Sequence, residues 1–382
     1  MTSAGYPKER KMELFTSSES DENGVELEEV NDFITKPFDP TLIRVESKTL
    51  SVDLLLTRIK EGEINLSPSF QRMADIWSPT AQSRLVESLL IRIPLPAFYM
   101  DATDENSWLV VDGLQRLTAL KKFVIDKQLA LIGLEFLTQL NGARFDELPR
   151  FLKRRINETQ ITVFLIEKGT PPDVKFNIFK RINTGGLPLS PQEIRHALNQ
   201  GQVTTLLEEL ASSEEFLAAT DRGINSKRMV DRECVLRFIA FTLTPPTDYK
   251  TADFDSFLNA AMIEINHAPR HRIERLTSQF CNAMKAAHHI FDRQAFRKMS
   301  AGRTGRSLIN KALFETWSVN LAALSEDEVA RLVARKGIVL EKFCALLLER
   351  DFEASISQGT GDPSRVRTRF GSIQKLIQQS LL

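Results

Sequence analysis

The stretch from Trp108 to Val124 constrains the fold of this chain more than any other part of the sequence. It begins with the apolar run Leu109–Val111, which is typical of a strand. Asp112 and Gly113 interrupt that run, and apolar residues then return at spacings of three and four, at Leu114, Leu117, Leu120 and Val124. This change of period predicts a strand, a tight turn and an amphipathic helix.

The turn between this strand and this helix carries residue types that suit a phosphate group. A helix N-terminus presents unpaired N–H groups and the positive end of the helix dipole. Gly113 would let the backbone approach a ligand closely, Arg116 could hold phosphate oxygens with its forked guanidinium, and Asp112 could hold a metal ion or a water. The spacing leaves one alternative open, an ordinary capped turn in which Arg116 is a surface charge.

Short strands alternate with helices up to about residue 200, which predicts an α/β or α+β domain. The predicted strands are Leu42–Val45, Ala97–Met100, Trp108–Val111 and Gln160–Ile166. We also expect a small hairpin between Leu129 and Phe145 and a helix over about 146–156.

Three serines in this half have the sequence context of helix caps. Ser51 precedes a helix that Gly62 stops, and Ser78 and Ser190 are each followed by proline, the residue favoured at the first helical position. Glu193 is three residues after Ser190, which predicts a capping box.

Beyond Gln202 the sequence carries only helical periodicity, and Gly201 is a plausible boundary. We therefore expect three parts: a disordered acidic segment at 1–32, an α/β (α+β) domain at 33–200 and an all-α helical domain at 201–382.

Charge is unevenly distributed, although the 50 basic and 50 acidic residues balance over the whole chain. Residues 1–32 hold three basic and nine acidic residues, whereas 270–311 hold ten basic and two acidic ones. A basic segment of this kind suits nucleic-acid contact, and a solvated helical face is the alternative. The basic residues that we expect to contact DNA are Arg270, Arg272, Arg297, Lys298, Arg303 and Arg306.

Composition predicts a cytoplasmic protein with no membrane partner. No apolar run is long enough to cross a bilayer, and the first residues lack a signal-peptide core. Cys234, Cys281 and Cys344 are few, odd in number and far apart, which favours reduced thiols over a disulfide framework or a metal site.

Three motifs together resemble a known family. They are F-Q-R followed by W at 70–77, V-V-D-G-L-Q-R-L-T-A-L at 110–120, and F-K-R-I-N-T-G-G-L-P-L-S-P-Q-E-I-R at 179–195. Their order and spacing resemble the N-terminal domain of the GmrSD restriction endonucleases, over roughly residues 42–200. That family has a ParB/sulfiredoxin-like core.

The resemblance implies a site that binds, and in catalytic members hydrolyses, a nucleoside triphosphate (NTP) with Mg²⁺. It assigns catalytic roles to Asp112, Gln115 and Arg116, with Asp112 also as the metal ligand. The implied nucleotide ligands are Gln71, Arg72, Gly113, Arg116, Asn183, Thr184, Gly185 and Gly186. It further implies restriction-type or phage defence against foreign DNA. A partner nuclease subunit, a homo-oligomer, a non-catalytic DNA-binding or sensor module and a DNA nickase all stay open.

The chain departs from the family pattern in two ways. Leu114 stands where the motif D-G-Q-Q-R has its first glutamine, which puts nucleotide contact or hydrolysis in doubt. Fused members of the family also carry a nuclease domain with a histidine-rich metal site. The histidines of this chain lack that spacing, since Pro269 separates His267 from His271. We therefore expect no nuclease centre of that type in the helical domain.

Overall fold

A computed structural model describes residues 24–26, 28, 40–66, 77–182, 189–251, 253–299 and 307–382. The chain divides into two compact units, one formed by 37–198 and the other by 199–382 together with the start of the chain. We call them the α/β unit and the helical unit. The class is therefore mixed α/β followed by a helical part, as predicted.

The α/β unit is built on a mixed sheet of five strands. They are β1 Val45–Ser51, β2 Ile64–Asn65, β3 Phe98–Ala102, β4 Trp108–Asp112 and β5 Gln160–Glu167. The strand order is β1-β5-β3-β4-β2, in which β3 runs parallel to β5 and antiparallel to β4. One large apolar cluster fills one face of the sheet, and a smaller cluster that includes Val111 and Phe176 fills the other.

Six α-helices accompany this sheet in the described part of the unit. They are α1 Val52–Lys60, α2 Pro79–Leu90, α3 Leu114–Leu120, α4 Arg150–Glu158, α5 Pro172–Ile182 and α6 Pro191–Leu198. The three predicted caps are confirmed, because Ser51, Ser78 and Ser190 each accept a hydrogen bond from the backbone N–H three residues later. Glu193 completes the capping box by accepting from the Ser190 N–H at 2.6 Å.

The predicted hairpin between Leu129 and Phe145 does not form strands: its regular elements are short 3-10 turns, and backbone pairing is confined to the bonds of Leu131 with Gly142 and Ala143 at 2.7 and 3.0 Å. The buried Glu87 carboxylate of α2 accepts three successive backbone N–H groups, from residues 135–137, at 2.8 to 3.0 Å. These bonds hold the stretch as a loop. The predicted strand Leu42–Val45 is also displaced, because β1 begins only at Val45.

The helical unit contains no strand among its described residues apart from isolated bridges. Its helices are α7 Gln202–Ala211, α8 Glu214–Ala219, α9 Val230–Leu243, α10 Phe254–Asn266, α11 Arg270–Phe291, α12 Lys311–Ala322, α13 Glu326–Ala334, α14 Lys336–Leu346, α15 Arg350–Ser357 and α16 Pro363–Leu381. They enclose one apolar core, in which Trp317 and Phe280 are fully buried.

The described residues of the acidic segment pack on the helical unit. Val25 is only 4% exposed and belongs to its core, and Glu28 pairs with Arg237 of α9. For these residues the prediction of disorder is wrong, because burial of an apolar side chain and a buried ion pair hold them against the helices in this structure.

None of the helices in the described ranges combines the length and apolar character needed to cross a membrane.

Candidate functional site

The junction of β4 and α3 has the predicted strand, turn and helix. Gly113 lies between Asp112 and Leu114 with φ +99°, a left-handed conformation that favours glycine. A Cβ atom built on Gly113 would lie 2.3 Å from Cδ1 of Phe98, the first residue of β3. Gly113 is therefore required both by its own dihedral angle and by the close approach of the neighbouring strand.

The N-terminus of α3 has no side-chain cap, because Gly113 occupies the cap position. Its first-turn N–H groups are the donors that could receive an anion. Leu114 is partly buried against the main apolar cluster of the sheet. Packing explains why an apolar residue is tolerated where the family motif has glutamine.

Arg116 is buried and bonded to the protein itself. Its two terminal nitrogens donate to the carbonyl oxygens of Pro96 and Ala97, the latter at 3.3 Å, and Nη2 also donates to Oδ2 of Asp112 at 2.7 Å. The guanidinium carbon lies 4.4 Å from the ring centre of Phe98. Burial lowers the pKa of Arg116, and the charge of Asp112 opposes that effect.

This arrangement differs from the predicted phosphate fork. Both terminal nitrogens of Arg116 already have carbonyl or carboxylate acceptors, so they are not directed at an open phosphate position. Through these hydrogen bonds Arg116 joins the backbone just before β3 to Asp112 at the end of β4.

Asp112 is the residue of the motif that retains free capacity for a ligand. Its side chain is 29% exposed, and only Oδ2 accepts from Arg116. No described residue donates to Oδ1. Gln115 is half-buried one residue before Arg116. One carboxylate oxygen together with substrate phosphates is a donor set that Mg²⁺ commonly uses, so Asp112 fits the predicted metal role chemically.

The other predicted nucleotide ligands lie outside the described residues. These are Gln71, Arg72, Asn183, Thr184, Gly185 and Gly186. Trp77, which follows the first motif, is described and packs against the main apolar cluster of the sheet.

A buried cluster near the other end of β3 was not predicted from the sequence. Nζ of Lys175 on α5 lies 3.1 Å from Oδ2 of Asp101 and also contacts the Thr103 hydroxyl. The side chains of Lys175 and Asp101 are only 10% and 11% exposed. A lysine beside the apolar positions of an amphipathic helix gives no sequence signal of burial, and Asp101 reads as part of a polar turn.

A cavity of about 410 Å³ lies at the end of β4 opposite to Asp112. Trp108, the first residue of β4, lines it together with Arg58, whose guanidinium carbon lies 4.3 Å from the Trp108 ring centre. Three acidic and three basic side chains surround this cavity, so it has no net preference for an anion.

Two of the predicted DNA contacts, Arg270 and Arg272, are on the surface of α11. The Arg270 side chain is 91% exposed and pairs with Glu274 at 2.8 Å, and Arg272 pairs with Glu264 at 2.7 Å. Exposed ion pairs of this kind contribute little stability, so little is lost when a phosphate replaces the glutamate as partner of either arginine.

Arg297 and Lys298 have internal partners instead. Arg297 is 2% exposed and donates to the carbonyl oxygens of Arg293 and Thr220, each at 3.1 Å, and to that of Ser307. The prediction that Arg297 lies on a DNA-binding surface is therefore corrected, since its guanidinium joins backbone segments. Lys298 contacts Glu26 at 3.3 Å. Arg303 and Arg306 lie outside the described residues.

No group of three or more histidine, cysteine, aspartate or glutamate side chains suited to a metal ion occurs in the parts of the chain that the structure describes.

Comparison with known proteins gives one family match. Residues 53–199 match the family model described as the GmrSD restriction endonuclease, N-terminal domain. No curated protein and no solved structure matches the chain. The match contains the whole Asp112–Arg116 junction and all but the first strand of the sheet, and it agrees with the resemblance that the three motifs carry. Residues 53–199 of this chain therefore belong to the GmrSD restriction endonuclease N-terminal domain family.

Proposed function

We propose that this chain is a component of a restriction-type defence system that acts on foreign DNA, and that its α/β unit binds and hydrolyses an NTP at the Asp112–Arg116 junction. The observation that carries the proposal is the family match over 53–199, which includes that junction. The family is named for restriction endonucleases, whose substrate is DNA. A ParB/sulfiredoxin-like identity of the core and a cytoplasmic location are part of the same proposal.

The geometry of the junction supports distinct roles for its residues. Close approach of the backbone at Gly113 leaves the uncapped N–H groups of α3 to donate to phosphate oxygens. Oδ1 of Asp112 would hold Mg²⁺, which supplies positive charge against the charge on the phosphoryl oxygens. Gln115 would orient the nucleophile or a phosphate.

Arg116 enters this proposal as a positioning residue. It holds Oδ2 of Asp112 and the carbonyl groups before β3, and in this way directs Oδ1 toward the ligand. Gln71, Arg72 and 183–186 stay predicted contacts that complete the pocket.

A second candidate function is a DNA-binding or sensor module that binds a nucleotide without turnover. The internal bonding of Arg116 favours it, because an arginine held by protein acceptors gives no direct stabilisation to a transferring phosphoryl group. A DNA nickase receives less support, since the described part of the chain has no acidic cluster for a metal pair.

The partners follow from the same reasoning. DNA would contact the exposed arginines of α11, Arg270 and Arg272, through its phosphates. A separate nuclease subunit would supply DNA cleavage, and a homo-oligomer is compatible with this arrangement.

The test is phosphate release from a panel of NTPs with Mg²⁺, with and without DNA, by the wild-type chain and three variants. Asp112→Ala should abolish turnover, and Arg116→Ala should reduce it by misplacing Asp112. The control Arg154→Ala removes an arginine of α4 that is 71% exposed and should leave turnover unchanged.

Full turnover by Asp112→Ala would refute the catalytic role. Nucleotide-induced thermal stabilisation that Asp112→Ala removes, without any phosphate release, would establish the sensor function instead.

A further inference from the structure

Residues 24–26 form a backbone bridge with the helical unit. The N–H of Glu26 donates to the carbonyl oxygen of Ile309 at 2.8 Å, and the Ile309 N–H donates to the Gly24 carbonyl oxygen at 3.1 Å. Ile309 also forms an antiparallel bridge with Arg297 on its other side. We call residues 24–26 and 28 the strap; its bridge at Val25 extends a small ribbon, as a bound peptide does in β-strand addition.

Two glutamates of the strap bind basic or hydrogen-bond-donating side chains of the helical unit. Oε1 of Glu28 lies 2.9 Å from Nη1 of Arg237 and accepts from the Thr360 hydroxyl at 3.0 Å, while Oε2 pairs with Nη2. This bidentate pair is buried, with side-chain exposures of 11% for Glu28 and 4% for Arg237. The Arg237 charge lowers the pKa of Glu28 against the opposing effect of burial.

Glu26 makes the second set of polar contacts. Its Oε2 accepts from Nδ2 of Asn310 at 2.8 Å and lies 3.3 Å from Nζ of Lys298. Asn310 is also the N-cap of α12, accepting from the Leu313 N–H at 2.9 Å. The Asn310 side chain therefore donates to the strap and also caps a helix of the core.

The strap also makes an apolar contact and a close backbone contact with the helical unit. Val25 is 4% exposed and belongs to the core of the helical unit. Gly24 has φ +71°, and a Cβ atom on it would lie 1.7 Å from the Gly223 carbonyl oxygen. Glycine, an apolar residue and two glutamates at fixed spacing are thus each recognised by a separate feature.

The side chains around Glu28, which we call the groove, also pair with one another. Arg237 pairs with Glu233 at 2.8 Å and with Glu315 at 3.4 Å, and Arg369 also binds Glu315. Lys311 lies 3.1 Å from Glu233. Apart from Glu28, this cluster holds three basic and two acidic side chains, so each basic group has an acidic partner within the groove and the net charge of +1 attracts an acidic ligand.

We propose that this groove is a binding site for an extended acidic peptide of the pattern Gly-Val-Glu-x-Glu, and that the strap is its detachable intramolecular ligand. In trans, the occupant is the strap of a second copy of this chain, which repeats every contact of the resident one. This inference is independent of nucleotide handling by the α/β unit.

A labelled peptide spanning residues 20–32 tests the proposal by fluorescence anisotropy against full-length chains. Gly24→Ala should displace the resident strap through the contact with Gly223 and free the groove. The matched control is Gly62→Ala, which shares a positive φ, +79°, but has no atom within 4 Å of its Cβ position.

We expect the peptide to bind the Gly24→Ala chain at least tenfold more tightly than the wild-type or Gly62→Ala chains. The same peptide with Glu28→Gln should bind at least tenfold more weakly. Equal binding to all three chains, no binding to any of them, or indifference to Glu28→Gln would overturn the proposal.

Hydrogen exchange on the wild-type chain provides a second test that needs no variant. Excess unlabelled peptide should speed exchange at the chain's own Glu26 N–H, because that group loses Ile309 when the strap is displaced. Unchanged exchange at saturating peptide would show that the strap is a fixed part of the helical unit.

Discussion

Substitution of Gly113 by alanine should destabilise the α/β unit and disturb the motif. The φ of +99° costs a residue with a Cβ atom about 1–2 kcal/mol. The new Cβ would also lie 2.3 Å from Phe98, whose ring is fully buried and stacked beneath Arg116. Overpacking of this kind costs about 1–3 kcal/mol, so the free energy of unfolding should fall by roughly 2–5 kcal/mol.

Two further variants separate the two contributions. Gly62→Ala has a similar φ with open space around its Cβ, so it should lose only the dihedral part, about 1–2 kcal/mol. Combining Gly113→Ala with Phe98→Leu should relieve the steric part. The double variant should then be more stable than the sum of the single effects predicts, by about 1–3 kcal/mol.

Urea unfolding measures these free energies through tryptophan fluorescence. Trp77 and Trp108 lie in the α/β unit, and a Trp317→Phe background removes the signal of the helical unit. A wild-type free energy of unfolding for Gly113→Ala would show that neither the φ nor the contact with Phe98 destabilises the variant. Simple addition of the effects of Gly113→Ala and Phe98→Leu would show that the two side chains do not clash.

Three other predictions concern buried groups and the surface of α11. Glu87→Gln should lower the free energy of unfolding by about 1–3 kcal/mol at pH 7, because hydrogen bonds from 135–137 to the charged carboxylate are lost. These bonds lower the folded-state pKa of Glu87 below its usual 4.5 despite burial, so the difference from wild type should be full above that pH and shrink as the pH falls below it. An equal difference in urea unfolding at pH 7 and pH 3 would contradict this cause. Arg297→Ala should lower the free energy of unfolding, measured by thermal unfolding, by about 2 kcal/mol or more because buried carbonyl groups lose their donor. Arg270→Ala should leave that free energy unchanged and weaken DNA binding at low salt. The reverse pattern would place Arg297 at the surface. Burial raises the pKa of Cys234 to about 12, so a thiol reagent at pH 8 should leave Cys234 unmodified in the folded chain and modify it in urea, as peptide mapping would show.

Local signals in the sequence predicted local structure well. The caps at Ser51, Ser78 and Ser190 and the turn at Gly113 each depend on atoms within about four residues, and the structure has all of them. The division into an α/β half and a helical half also follows from periodicity alone, because the period of apolar residues differs between strands and helices.

Hydrogen bonds between residues far apart in sequence account for the predictions that the structure corrects. The loop at 135–137 is fixed by Glu87, 48 to 50 residues away in sequence. Arg116 looked available for a phosphate, yet its carbonyl acceptors are 19 and 20 residues earlier. Arg297 was counted as surface charge, and one of its acceptors is Thr220, 77 residues earlier. A basic residue in a sequence carries no sign of which distant carbonyl group will accept from it.

The position of the strap has a consequence for the order of events during synthesis. The strap is made before the whole α/β unit, and its partner Asn310 follows Glu26 by 284 residues. At ribosomal rates this separation lasts between about 14 and 57 seconds. The nascent chain must therefore carry Glu26 undocked until Asn310 has been made, and by then the whole α/β unit has been synthesised. The strap can thus dock only on a chain whose α/β unit is already complete.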